Sequence, residues 1–391
     1  MLNRFVEFKL GVNDYTELLV ELRRLRSVCC SKEEQREICD SGTVSVLIRI
    51  LENLTVGASY DENALLSLRV GLQCLVNVVV NNAYTQKFVW SNHSTSIKKW
   101  CCLEDDKARN FLYALYHSIL VENVRLIEEL LDDRQQMLYA IASSMKGTEF
   151  SQFLLERCIE SGGFKIMYNS LGIGASEERI YLLELLDSVV TKNFKYLNEI
   201  DFISLHFKRK SDAILKTKPE YVEKVDLKEV SCLLEVLGHA STIENYRTVL
   251  QKDKSLVINC MYLLIGMHKA VRDREEISKQ SELNALNEMM ANMSTDVRPS
   301  PEFNFKGNLI RLIGNLAYKN KEVQDMCREL EALHVILDCC TIDPKNPFIR
   351  EWSIFAIKCI CEENLHNQEL ISGISQINVK TLPPDRIIEF T

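Results

Sequence analysis

The chain has 391 residues, 46% apolar and 26% charged, so it carries ample material for a core and lacks the composition of a disordered protein. Its 14 glycines and 7 prolines are few for this length, and tight turns need those residues for their special φ angles; this argues against a β-sandwich or barrel and predicts an all-α chain of long helices with short connections. A formal charge of −8 repels phosphate backbones, which argues against general nucleic-acid binding.

The chain opens with Met1-Leu2-Asn3-Arg4-Phe5 and runs into a mixed polar stretch without a secretory pattern. Ala64–Val80 and Phe111–Leu120 then read as helices that are apolar on more than one face. Glu177–Val190 is a third such helix: Ser176 can cap it, Glu177 and Glu178 suit its positive end, and Ile180, Leu182, Leu183, Leu185, Leu186, Val189 and Val190 follow. A helix of this kind must be covered on both sides, as the central helix of a stacked repeat is. The densest basic run is Phe207-Lys208-Arg209-Lys210 with Lys216 and Lys218, which reads as a solvated loop or helix end. Cys232–Leu237 and Leu256–Met267 continue the apolar pattern, and the second, the longest apolar run, falls short of the ~20 residues that span a bilayer. Asn292–Asn304 reads as a surface loop, in which Ser300-Pro301 is a candidate for a proline-directed kinase that would add charge.

One pattern occurs three times. Leu72-Gln73-Cys74-Leu75-Val76-Asn77-Val78, Ile310-Arg311-Leu312-Ile313-Gly314-Asn315-Leu316 and Ile354-Phe355-Ala356-Ile357-Lys358-Cys359-Ile360 match at most apolar positions. Each is followed by an Asn and a Gln at the same offsets: Asn82 and Gln86, Asn320 and Gln324, Asn364 and Gln368. The last two copies lie 44 residues apart, within the ~40–47-residue period of armadillo and HEAT units. The C-terminal unit reads as helices over Gly307–Tyr318, Glu322–Leu330 and Leu333–Cys340, then a turn over Thr341–Pro347 and a helix over Phe348–Cys361. Three helices per unit point to armadillo rather than two-helix HEAT. The expected architecture is an armadillo-like, right-handed helical-repeat solenoid, divided into repeats over 1–293, a linker over 294–304, C-terminal repeats over 305–372 and an irregular tail over 373–391.

The fourteen cysteines sit largely inside helical apolar patterns (Cys74, Cys158, Cys232, Cys260 and Cys359), where a free thiol behaves as a small hydrophobe. Cys29-Cys30, Cys101-Cys102 and Cys339-Cys340 are adjacent pairs, and Cys359-x-Cys361 has no second pair at zinc-site spacing. Reduced thiols of a cytosolic protein are the simplest account. Seven histidines are spread singly, and no phosphate loop, H-E-x-x-H or G-x-S-x-G is present. The expectation is a protein that is not an enzyme and takes no cofactor or metal.

The run Phe305-Lys306-Gly307-Asn308-Leu309-Ile310-Arg311-Leu312-Ile313-Gly314-Asn315-Leu316-Ala317-Tyr318-Lys319-Asn320-Lys321 resembles the signature of the ataxin-10 family. The resemblance continues through Arg328-Glu329-Leu330-Glu331, Ile336-Leu337-Asp338 and Asn346-Pro347-Phe348-Ile349-Arg350-Glu351-Trp352, with a weaker echo from Gly71 to Trp90. The resemblance also implies an N-terminal extension in longer members, and the expectation is that one or two opening repeats are missing or divergent here. The resemblance implies a scaffold without enzymatic activity, tied to cytokinesis, to centrosome, basal body and midbody, and to neuron survival and neurite outgrowth. The partners it implies are the O-linked N-acetylglucosamine transferase and a G-protein β subunit.

Asn77 and Asn315 hold a position like that of the asparagine ladder of peptide-binding armadillo proteins, where an amide donates and accepts at once. The alternative is that each bonds a neighbouring repeat's backbone. Gln73, Arg311 and Phe355 stand four residues earlier in the three copies, and Cys359 replaces the third rung. Asn77, Asn315 and Arg311 are therefore the candidate partner-groove residues. No tryptophan array accompanies them, which disfavours a nuclear-import adaptor. Two functional readings stand: a cytoplasmic scaffold that binds partners on its concave face, and a helical-repeat co-chaperone or exchange factor for a chaperone or GTPase.

Overall fold

The computed structural model describes residues 15–29, 31–57, 61–120, 123–193, 199–215, 224–279, 304–341, 343 and 346–381. These form twenty α-helices and two 3-10 turns, with no strand among the described residues, so the all-α helical-repeat class holds. No helix among them is long and apolar enough to cross a membrane. The chain forms two compact units that divide between Ile173 and Gly174. Gly172 there has a φ of +92° and Ile173 is 94% exposed, so a glycine bend interrupts the helical pattern, while the linker expected over 294–304 lies outside the described residues except for Asn304.

The first unit contains α1 (Tyr15–Val28), α2 (Lys32–Asp40), α3 (Thr43–Gly57), α4 (Glu62–Val79), α5 (Ala83–Lys99), a 3-10 turn (Trp100–Cys102), α6 (Asp106–Leu120), α7 (Val124–Asp132), α8 (Arg134–Met145), α9 (Glu149–Glu160) and α10 (Phe164–Ser170). Its long helices α1, α4, α6 and α9 stack in that order, with the shorter helices beside them. The starts are sequence-coded. Ser31 and Glu34 form a reciprocal capping box at α2, and the Asp61 and Asp133 carboxylates accept backbone N–H groups at the starts of α4 and α8.

The second unit contains α11 (Glu177–Asn193), α12 (Ile200–Lys210), a 3-10 turn (Ser211–Leu215), α13 (Lys224–Ala240), α14 (Glu244–Lys252), α15 (Lys254–Lys279), α16 (Phe305–Ala317), α17 (Lys321–Glu329), α18 (Ala332–Asp338), α19 (Ile349–Cys361) and α20 (Leu365–Thr381). Here α11, α13, α16 and α19 form the inner stack. The expected cap is in place, with Ser176 Oγ accepting the Arg179 N–H at 3.3 Å. The same Arg179 then reaches Glu229 at 2.8 Å, and Lys210 also contacts that carboxylate, so a buried ion network ties α11, α12 and α13. Such a network is costly to break because a lone buried charge remains.

The four helices expected in the C-terminal unit all form, with ends within two residues of the sequence reading. Asn346, in the turn before α19, donates its amide to Asp343 and accepts the Gly307 N–H at 3.1 Å, closing an open donor at the start of α16. One expectation is corrected. The last helix runs through to Thr381, where an irregular tail from 373 was expected, because no proline interrupts the chain until Pro383.

The inner stack depends on small residues at the crossings. A Cβ on Gly314 would sit 3.0 Å from Ala356 Cα and Phe355 Cε1, so α16 and α19 touch through glycine. One period later, Gly307 and Gly314 become Glu351 and Lys358, both exposed, and the buried Ile310 becomes Ile354 at 55% exposure. Charged residues thus occupy the approach positions on α19 and leave that face polar. A Gly314→Val chain is expected to lose about 1–3 kcal/mol of stability by overpacking, read as a lower urea midpoint; an unchanged midpoint would show that the crossing relaxes freely.

Candidate functional site

Helices leave their last carbonyls without intrahelical partners, and here glutamine amides supply them at each matched copy. Gln86, Gln324 and Gln368 each donate back seven residues, to Val79, Ala317 and Cys361, the last residues of α4, α16 and α19. A second glutamine from the preceding repeat closes the same helix end from outside. Gln35 donates to Asn77 and Val80, Gln251 to Leu316 and Tyr318, and Gln324 to Cys359 and Glu362, at 2.7–3.3 Å. The chain reverses at each joint through a left-handed residue, Asn81, Lys319 or Glu363, with φ between 51° and 55°. The following asparagine holds the turn: Asn320 accepts from the Val323 N–H, while Asn82 and Asn364 donate to Gln35 and Gln324. The repeated Asn and Gln are therefore repeat joints.

Each candidate groove residue has a definite place. Asn315 is 7% exposed, and its Nδ2 donates to Ser241 Oγ at 2.8 Å and to the Gly238 carbonyl at 3.4 Å, so its donors face α13 and the turn after it. Asn77 is half-buried and makes only a 3.5 Å contact to the Arg26 carbonyl. Its neighbour Gln73 accepts from Arg26 at 2.8 Å, and one turn earlier Arg69 forks onto Asp105 at 2.9 and 2.6 Å. Arg311 lies half-buried across the inner stack of the second unit. Its guanidinium carbon is 5.4 Å from the Trp352 ring centroid on one side, and only a glycine at 238 leaves room for its Nη2 on the other. Nε and Nη2 are buried without a hydrogen-bond partner. Burial draws this guanidinium below its ordinary value, against the attraction of Glu235 and Asp187. Asp187 itself pairs with His239 at 2.7 Å.

Asp187, Glu235 and His239 join Arg311 and Trp352 on the inner helices, and sequence reading missed all but Arg311. Their only signal was position on the stripe of polar residues facing away from the core. Ser300 lies outside the described residues, as do Lys216 and Lys218. The rest of the basic run is a helix end, as expected, and is internally paired: Lys208 reaches Asp253 at 2.7 Å and Lys210 reaches the buried Glu229. Among the described residues no cluster of three or more His, Cys, Asp or Glu side chains could hold a metal. Burial raises the thiols of Cys39, Cys158 and Cys232 to about 12, which keeps them protonated and unreactive.

Removing Asn315 at its amide (Asn315→Ala) takes the donor from the Ser241 hydroxyl, while the Gly238 carbonyl keeps the Ser241 O–H at 2.7 Å, and is expected to cost about 1 kcal/mol; an unchanged melting temperature with lost partner capture would instead give Asn315 to the groove. Lys319→Gly relieves a left-handed non-glycine residue and is expected to stabilise by up to about 1 kcal/mol, measured as a raised urea midpoint. Asp253 supplies a pH test. Burial alone raises its carboxyl, but hydrogen bonds from Lys208, Ser255, Ser204 and the Leu256 N–H outweigh that and hold it at about 2 against an ordinary 3.8. A lowered folded value adds stability above the ordinary value that disappears as the pH falls through the folded one. Unfolding midpoints should therefore drop between about pH 4 and pH 2, and drop less in Asp253→Asn.

These features define the class: a helical-repeat protein whose repeats are locked by amide joints and whose inner helices carry a paired polar stripe. Residues 305–385 match the family model described as the spinocerebellar ataxia type 10 protein domain. Ataxin-10 of Bos taurus is 28% identical over 376 residues, covering 92% of this chain and 76% of that protein, and ataxin-10 of Xenopus tropicalis is 28% identical over 374 residues, covering 90% and 74%. The ataxin-10 homologue of Dictyostelium discoideum is 49% identical over 75 residues, 19% of this chain and 12% of its own. An engineered protein of solved structure aligns over 92% of this chain and 98% of its own at 13% identity, with a TM-score of 0.29 that is too low to define a shared architecture. The chain is thus similar to ataxin-10 proteins along nine-tenths of its length, and its C-terminal fifth carries the domain they are described by.

Proposed function

We propose that this chain is a non-enzymatic, armadillo-type scaffold that binds protein partners on its inner helix faces and acts in cytokinesis and signalling, with roles in neuron survival and neurite outgrowth. Similarity to ataxin-10 along nine-tenths of the chain, with the ataxin-10 domain at 305–385, is the observation that carries the reading. The polar stripe of paired side chains supports it, because rim charges that are already paired can exchange partners with little desolvation cost. The first partners to test are the O-linked N-acetylglucosamine transferase and a G-protein β subunit, at cytoplasmic, centrosomal, basal-body or midbody locations.

Affinity purification with mass spectrometry from dividing cells, followed by titration with the two purified partners, tests this. Saturable binding that is lost by tenfold or more in Asn77→Arg, a change at an amide that makes only a long contact, is the expected result. Enrichment dominated by a chaperone or GTPase, with nucleotide exchange accelerated by the purified chain, would replace the scaffold reading with an exchange factor.

A further inference from the structure

The first unit contains a cavity of about 830 Å³ between the end of α3, the start of α4 and the segment from Lys99 to Asp105. It lies where the repeats differ. The group α2–α3–α4 has a fifteen-residue middle helix, whereas between α5 and α6 the chain makes only the 3-10 turn Trp100–Cys102. The space beside that short turn is left open. Leu65, Leu68, Trp100 and Leu103 line it with apolar surface, and Leu68 and Trp100 are 2% and 3% exposed, so this wall is fixed by the core.

The polar lining is unevenly satisfied. Asp105 is neutralised by the Arg69 fork and also accepts the Ala108 N–H, capping α6. Glu52 accepts one hydroxyl, from Ser96 at 2.6 Å. Glu104 and Lys99 lie at the rim, exposed, with no ion-pair partner among the described residues. With Arg69 and Asp105 cancelling, Glu52 and Glu104 outweigh Lys99, and the mouth is negative in a chain that is itself acidic. Ligand sites have this size and this make-up, an apolar wall with a few placed polar groups.

We infer that this cavity is a docking pocket for a basic amphipathic segment of a protein partner, taking a large apolar side chain against Leu65 and Leu103, which the buried Leu68 and Trp100 back, and an adjacent lysine or arginine at Glu104 and Glu52. The assignment rests on the scaffold reading only in taking a protein as the source of the ligand. Cys102, exposed at the cavity wall, offers a handle for blocking it.

The test uses the full chain and three fluorescent dodecapeptides read by anisotropy: one alternating leucine and lysine, one alternating leucine and glutamate, and one alternating serine and lysine. Only the first is expected to saturate. Its affinity should fall at least tenfold in Glu104→Lys, a rim substitution that leaves the core intact, and on alkylating Cys102 with a bulky maleimide. The leucine–glutamate peptide should gain in Glu104→Lys. Equal binding of all three peptides, no binding of the first, or indifference to both Glu104→Lys and alkylation overturns the pocket. Phenethylamine competing as strongly as the peptide overturns the protein source and gives the cavity to a small cationic amphiphile. A chain that binds none of the peptides yet binds the transferase or the G-protein β subunit loses the pocket and keeps the scaffold reading, and the converse result loses only that reading.

Discussion

The exposed carbonyls at the C-terminal ends of the long helices are the constraint on which the repeat joints depend. A helix end buried between repeats cannot leave those acceptors empty, since an unpaired buried polar group costs about 1–3 kcal/mol. The joints carry their own donors. Glutamine suits the task because its amide reaches across a turn and offers two N–H groups to more than one carbonyl. Gln324 shows the economy of the arrangement: it contacts Ala317 in its own joint, Cys359 and Glu362 in the next, and accepts from Asn364. One side chain thereby sets both the turn within a repeat and the register between repeats.

Close approach of the inner helices follows from the same register. Where amides hold the ends of α16 and α19 together, the helix middles meet at Gly314, and the crossing admits no larger residue without movement. The charged counterparts Glu351 and Lys358 keep the opposite face of α19 polar and exposed. Arg311 spans α13, α16 and α19, with Gly238 leaving room for it and Trp352 covering it. Its two unpartnered buried N–H donors are tolerated because Glu235 and Asp187 lie close enough to offset its charge.

The joints were legible in the sequence because they are local: asparagine and glutamine recur at fixed offsets from an apolar helix, and each of these glutamines bonds a carbonyl seven residues back. The outside donors were not. Gln251 stands two turns into α14, out of step with Gln35 and Gln324, and only packing brings it to Leu316 and Tyr318. The division after Ile173 had a visible signal in Gly172 and Gly174, but a glycine pair in a loop reads as an ordinary turn. The cavity had no signal, because it arises from a helix reduced to a 3-10 turn, and Trp100-Cys101-Cys102 looks like the continuation of an apolar pattern. Asn77 and Asn315 looked alike because their flanking residues match; only their surroundings separate a committed amide from a nearly free one.

That separation bears on how such a scaffold recognises partners. On the inner helices most polar groups are already hydrogen-bonded, Asp187 with His239 in the second unit, and Arg69 with Asp105 and Arg26 with the Gln73 amide in the first. A partner that binds there must exchange one hydrogen-bonded pair for another, and exchange of nearly equal pairs contributes little net affinity. It does contribute specificity, because a partner that breaks a pair without replacing it leaves a charge poorly solvated. Affinity then has to come from apolar burial near the stripe, where Trp352 and Phe355 pack edge to face at 6.1 Å in the second unit and the Leu65–Trp100 cavity opens in the first. The paired stripe selects, and the apolar sites beside it bind.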